Sequence, residues 1–296
     1  MFDSSYIAVF RAYLLDVRKA PGNTVLSYIR DITKFTDFIE TRGLTGYASA
    51  GEEDVRAYVK ELESAGRAPA TVSRCISSLK VFFARMAQDG VIAQNPAANV
   101  SGATVKKTLP DALTGDDVLR LLDQPDVKSL LGRRDKAMLE TLYATGLRVS
   151  ELVSLDVNDV NLDTGLINCR GSGGRSIPIY PAAAASISGY IAVSRVNLAA
   201  EGEVALFVNS GGKRMSRQGF WKLLKNYAEK AHIDSSITPQ ILRNSFATHM
   251  LENGADIKTL QQMLGHTDIA STQLYAQLVK KQLKDVYNKS HPRAIK

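Results

Sequence analysis

GLINCRGSGGRSIPI, residues 165–179, is where the apolar period of this chain changes from helical to extended. Two short runs, LINC and SIPI, flank a Gly/Ser-rich turn, the punctuation of a β-hairpin. On either side the apolar residues return every three to four positions, the spacing of one helix face. The hairpin therefore decides the fold class: mostly α with a small β-sheet.

Upstream of the hairpin, Thr114 with Asp117 three residues on reads as a capping-box helix start. RRDKAMLETLYATG continues as a helix to Gly146 as C-cap, and SELVSLDV reads as a short helix capped by Ser150. Downstream, helices are expected over about 181–196, 216–231, 239–253 and 256–263. Further towards the N-terminus the pattern is helical throughout. Residues 25, 26, 29, 32, 35, 36 and 39 form a stripe opened by Asn23 or Thr24 and closed by Gly43. A second helix is expected from Glu52 to Ser64, and a third over PATVSRCISSLKVFFARMAQDG, stopped by Gly90. No repeat of 20 to 50 residues is visible.

At 296 residues the chain exceeds the roughly 100 to 200 of a typical domain. Two domains are expected: a helical one over 1–103 and a mostly helical one with the sheet over 112–296. Between them, residues 104–111 read as an exposed linker, because NPAANVSGATVKKTLPD is rich in small residues and prolines and has no period. Its Lys106 and Lys107 read equally as a solvated tether or as phosphate contacts.

The composition is that of a soluble globular protein, 45% apolar and 23% charged. Charged residues interrupt the apolar positions of MFDSSYIAVFRAYLLDVRKA, and no apolar run approaches the roughly 20 residues of a membrane span. No signal peptide or membrane partner is expected. Cys75 and Cys169 match no metal spacing and read as buried free thiols of a reducing cytoplasm. The net charge of +7 points to an anionic partner, and its distribution is uneven. Residues 1–103 carry a net +1 and residues 104–296 a net +6.

Three boxes carry a resemblance: YATGLRVSELVSLDV (143–157), TPQILRNSFATHMLENGADIKTLQQMLGH (238–266) and STQLYAQL (271–278). In order and separation they resemble the tyrosine recombinase/integrase family, closest to its bacterial Xer type. The likeness extends to RRDKAMLE, RMSRQGFW, the closing HPRA and the helical first domain, nearly the whole chain. It implies a two-domain, C-shaped DNA clamp that cleaves and rejoins strands through a 3′-phosphotyrosyl intermediate. Planar guanidinium forks suit the charge that builds on the phosphate oxygens. The covalent link conserves the bond energy, so neither ATP nor metal is expected as a cofactor.

On its own, Tyr275 reads as a packing residue or a nucleophile; the resemblance makes it the nucleophile. By the same likeness Arg148 and Arg243 are the two catalytic arginines and His266 contacts the scissile phosphate, whereas His249 is expected to stabilise packing. Two departures stand out. Gln240 occupies the usual histidine of H-x-x-R and cannot return a proton near neutral pH, and Asn244 follows the arginine where Xer sequences often have histidine. In the hairpin, Ser172 takes the usual lysine's place when aligned from the first strand, and Arg170 takes it when aligned without a gap from Pro178. Serine lacks the charge and arginine releases its proton reluctantly.

Phosphate contacts are expected from Arg74 and Lys80 in the third helix, from Lys106 and Lys107, and from Lys213, Arg214 and Arg217. The expected substrate is double-stranded DNA with a short inverted-repeat site. Four protomers would assemble on paired sites, as a homotetramer or with a paralogous recombinase, with KKQLKDVYNKSHPRAIK docking on a neighbour. Chromosome dimer resolution or mobile-element integration would be the task. The altered lysine and histidine positions leave an alternative, a catalytically impaired DNA-binding or synapsis protein of the same fold.

Overall fold

The computed structural model describes residues 5–102, 110–170, 174–233, 237–265, 269 and 271–279. The chain divides into two compact units, Met1–Lys107 and Thr108–Lys296.

The first unit is helical: α1 (Ser5–Ala12), α2 (Gly22–Thr41), α3 (Glu52–Ser64) and α4 (Pro69–Gln88). The expected stripe of α2 is its core face, with Val25, Ile32, Phe35 and Ile39 buried against Leu79, Phe82 and Phe83 of α4. The helix opens at Gly22, one residue before the expected start, with Pro21 in the cap position and its carbonyl receiving the N–H groups of Thr24 and Val25. One charge lies inside this core. Asp31, 2% exposed, is salt-bridged to Arg74 and accepts from Ser78 Oγ at 3.3 Å.

The second unit holds α5 (Gly115–Leu122), α6 (Leu130–Thr145), α7 (Val149–Ser154), the strands β1 (Val160–Asn161), β2 (Leu166–Cys169) and β3 (Arg175–Pro178), then α8 (Pro181–Gly189), α9 (Val196–Leu198), α10 (Arg217–Lys230), α11 (Pro239–Glu252) and α12 (Ile257–Leu264). Residues 271–279 are again helical. The Thr114–Asp117 box forms as expected, with Asp117 N donating to Thr114 Oγ1 at 3.2 Å and the Asp117 carboxylate accepting from Thr114 N. Buried α6 is central, touching α8, α11 and the following helical turns, with Met138, Leu139 and Leu142 fully enclosed.

The expectation of a mostly helical chain with a small sheet holds, with three corrections. The sheet has three antiparallel strands in the order β1-β2-β3, with Ile167 opposite both Val160 and Ile177. At two residues, β1 is too short to show a period and exists only through its pairing. The cap of α7 is Arg148, not Ser150, because Glu151 lies three residues after Arg148 and accepts from its backbone N–H at 2.7 Å. The helix expected over 181–196 changes to wider π-type turns at Tyr190–Arg195. Among the described residues no helix is long and apolar enough to cross a membrane.

Candidate active site

Two helix C-termini meet one buried arginine. Helix α6 ends at Gly146 and α12 at Gly265, both in the left-handed conformation, with φ of 59° and 61°. A β-carbon on Gly146 would lie 2.3 Å from the Phe246 ring, so glycine is required there twice over. The carbonyls left unpaired at these ends accept from one guanidinium: Arg243 Nη1 donates to Gly146 O at 2.5 Å and Nη2 to Leu264 O at 2.7 Å. Arg243 reaches them from the inner face of α11, whose start is set by Pro239 and by Thr238 Oγ1, acceptor of Ile241 N. It is 2% exposed. Burial first, and the Arg148 charge next, push its pKa down to about 10.

Around Arg243 stand two more arginines and a single carboxylate. Glu151, on the first turn of α7, takes a forked pair from Arg175, Nη1 to Oε1 at 2.9 Å and Nη2 to Oε2 at 3.1 Å. Arg148 Nη1 lies 3.5 Å from Oε1 and Arg243 Nη1 3.9 Å from Oε2. Burial works to raise the Glu151 pKa, but the Arg175 fork, the Arg148 N–H and the neighbouring positive charges hold it below the usual carboxylate range. Among the described residues, these three arginines share the Glu151 carboxylate. All three also touch the end of α12: Arg175 Nε donates to Met263 O at 2.7 Å, Arg243 to Leu264 O, and Arg148 Nη2 to Gly265 O at 3.5 Å. Of the three, Arg148 has the most exposed side chain, at 44%.

Tyr275 sits on the helical stretch 271–279 and packs with Phe246, Ala247, Leu260 and Leu264. It is 5% exposed, and its Oη donates to Asn244 Oδ1 at 3.1 Å. Burial raises its pKa, while the Arg243 charge and hydrogen bond, followed by the Arg148 charge, work against the rise.

Of the expected site residues, the structure brings Arg148, Arg243 and Tyr275 into one cluster. Gln240 is exposed on α11 and donates from Nε2 to Asn244 Oδ1 at 2.9 Å. Arg170 points to Asp156 at 2.7 Å and Asp159 at 2.6 Å. His266, Ser172, Lys106 and Lys107 lie outside the described residues, as do most of the expected linker and the expected docking segment. His249 is a packing residue: its ring joins Tyr143 Oη at 2.9 Å and Leu113 O at 3.0 Å.

The expected phosphate contacts divide by exposure. Lys213 and Arg217 are exposed and Lys80 is half-buried. Arg74 is engaged with Asp31 inside the first unit. Arg214 donates to Val153 O and Leu155 O at 3.0 and 3.1 Å and pairs with Asp156, so its guanidinium braces the fold. Sequence reasoning missed Glu151 and Arg175. An acid three residues into a helix start signals the first, and strand alternation, which puts Arg175 on the side of buried Ile177, signals the second.

Residues 111–282 match the phage integrase family and residues 7–90 match the phage integrase N-terminal SAM-like domain. The chain is 41% identical over 290 residues to the tyrosine recombinase XerD of Oceanobacillus iheyensis, covering 96% of this chain and 97% of that one. It is 40% identical over 290 residues to the tyrosine recombinase XerD of Listeria innocua, covering 96% and 98%. Among solved structures, the XerH site-specific recombinase in a post-cleavage complex with palindromic difH DNA superposes with a TM-score of 0.78. It covers 97% of this chain and 84% of that one; at 18% identity, that likeness speaks to the fold.

Proposed function

Because this chain belongs to the phage integrase family and is a tyrosine-type site-specific recombinase, we propose that Tyr275 is its nucleophile and that Arg148 and Arg243 hold the scissile phosphate. The observation that carries this reading is the cluster of three arginines around Glu151, with the Tyr275 phenol hydrogen-bonded at its edge. Guanidinium groups brought together at one place offer charge-assisted, forked hydrogen bonds to an anion. A phosphodiester is such an anion, and the in-line pentacoordinate transition state carries more charge on its non-bridging oxygens than the ground state does.

The phenol oxygen bonds to phosphorus, the P–O5′ bond breaks, and one proton passes in net terms from the phenol to the leaving 5′-oxygen. A 3′-phosphotyrosyl link and a free 5′-hydroxyl result, and rejoining reverses the step. His266, next after Gly265, contacts the same phosphate, and Gln240 offers an amide N–H to it. The 5′-oxygen takes its proton without the usual lysine, whose place Ser172 or Arg170 fills. Such a proton-transfer change costs about 10²- to 10⁴-fold, which a single-turnover reaction on a bound site tolerates. Relatives at about 40% identity across the whole chain support an active recombinase over a DNA clamp without chemistry.

Double-stranded DNA carrying a short inverted repeat is the substrate. Lys213 and Arg217 supply phosphate contacts, with Lys80, Lys106 and Lys107. Four protomers assemble on two sites, as one species or with a paralogue, and the segment after residue 279 docks on a neighbour. Resolution of chromosome dimers in the cytoplasm, or a mobile element using that route, is the task. The deciding experiment incubates nicked suicide duplexes carrying inverted repeats with the wild type and with Tyr275→Phe, and resolves the products on a denaturing protein gel. A band shifted by covalent DNA in the wild type alone is expected. A footprint with no covalent band would move the reading to a clamp without chemistry.

A further inference from the structure

Asn244 follows Arg243 on α11 and is 6% exposed. Its amide has partners at both ends. Nδ2 donates to Asp111 O at 2.9 Å, and Oδ1 accepts from Gln240 Nε2 at 2.9 Å and from Tyr275 Oη at 3.1 Å. The Asp111 carbonyl only accepts, so the amide nitrogen must face it and the amide oxygen must face the phenol. Tyr275 is therefore the donor in that contact, and its hydroxyl has a fixed direction.

The neighbours of Asn244 on α11 hold the same segment. Ser245 Oγ accepts from Leu113 N at 2.8 Å, and His249 Nε2 meets Leu113 O at 3.0 Å. Residues 111–113, where the chain enters the body of the second unit, are thus laced to α11 by three side chains. Of these, Asn244 also touches Tyr275.

We propose that Asn244 is a positioning residue for the nucleophile, which aims the Tyr275 hydroxyl and ties that aim to the 111–113 segment. The proposal rests on the reading of Tyr275 as nucleophile. Asn244 is no base, since an asparagine amide takes no proton near neutral pH. Its contribution is orientation: without it the hydroxyl loses the acceptor that directs its O–H, and fewer encounters are in line with the phosphorus. Histidine at this position, frequent in Xer-type sequences, also presents one ring nitrogen as an acceptor. The departure from the family's residue thus keeps the acceptor and removes a titratable group.

The test compares the wild type, Asn244→Ala, Asn244→Leu, which fills the space without an acceptor, Asn244→His and Tyr275→Phe. The probe is a set of nicked suicide duplexes enriched from a randomised inverted-repeat library by covalent capture on the wild type. Adduct formation on prebound DNA and the DNA dissociation constant are measured separately. Loss of the acceptor in either Ala or Leu should slow adduct formation about 10-fold with the dissociation constant within about twofold, and Asn244→His should restore the rate to within about threefold. An unchanged rate in Asn244→Leu, a parallel loss of DNA binding, or failure of histidine to restore would overturn the proposal. Adduct formed by Tyr275→Phe, or none by the wild type, would overturn the reading of Tyr275 itself, an outcome distinct from the first three.

Discussion

The Asp31 cluster of the first unit and the Glu151 cluster of the second are built differently. In the first unit Asp31 meets one arginine, Arg74, and the Ser78 hydroxyl, so charge is balanced and the carboxylate is hydrogen-bonded. In the second, among the described residues, Glu151 meets three arginines, Arg148, Arg175 and Arg243. A balanced buried pair ties two helices together, here α2 and α4, and nothing further is required of it. Several guanidinium groups around one carboxylate also suit an incoming anion. On the proposed reading the second cluster is the phosphate site and the first is scaffold.

The comparison breaks most visibly at the proposed nucleophile. Tyr275→Phe removes the covalent adduct altogether and leaves the DNA footprint, because the ring still fills its place against Leu260 and Leu264. Arg243→Ala is next, slowing adduct formation about 10²- to 10³-fold on prebound DNA. It also lowers stability by roughly 1–3 kcal/mol, since the Gly146 and Leu264 carbonyls lose their donor, and thermal melting reads that loss.

Glu151→Gln sharpens the contrast by pH. The folded-state pKa of Glu151 lies below its ordinary value of 4.5, so its contribution to stability is fully present above about pH 4.5 and is lost as pH falls through the folded value. The wild type should melt higher than Glu151→Gln at pH 7, and the gap should close as the solution is acidified below that value. A gap that persists unchanged in acid would show that the carboxylate's charge is not what holds the three arginines.

The smallest effects separate scaffold from surface. Arg74→Met leaves Asp31 buried without its cation and should lower stability by about 2 kcal/mol, with little change in the salt dependence of DNA binding. Arg217→Met, on an exposed turn, should do the reverse. Its melting temperature should hold while the slope of log affinity against log salt falls by about one.

The legible parts of this chain were those set by neighbours in sequence. The stripe of α2, the Thr114–Asp117 box and the Gly146 C-cap follow from local geometry that any helix obeys. Arg148, Arg243 and Tyr275 were legible as residues because their boxes match a known order. The residues around them were less so. Glu151 stands three places after Arg148 and reads first as a helix cap, a role it fills as well as its ionic one. Arg175 reads as the end of the Gly/Ser-rich turn, yet it lies at the inner edge of β3, held by the end of α12, 88 residues on in sequence. The basic residues show the same limit: Arg214 and Arg217 look alike in RMSRQGFW, but one is engaged with Asp156 and two carbonyls while the other is exposed.

The sequence by itself determined the helices, the hairpin, the family and the identity of the nucleophile's candidate, because those rest on local periodicity, caps and the order of motifs along one chain. Only the tertiary structure decided which charges meet. The Glu151 carboxylate is shared among arginines from α7, β3 and α11, and the Asn244 amide is shared between residues 111 and 275, contacts that exist only when distant segments pack and water is excluded.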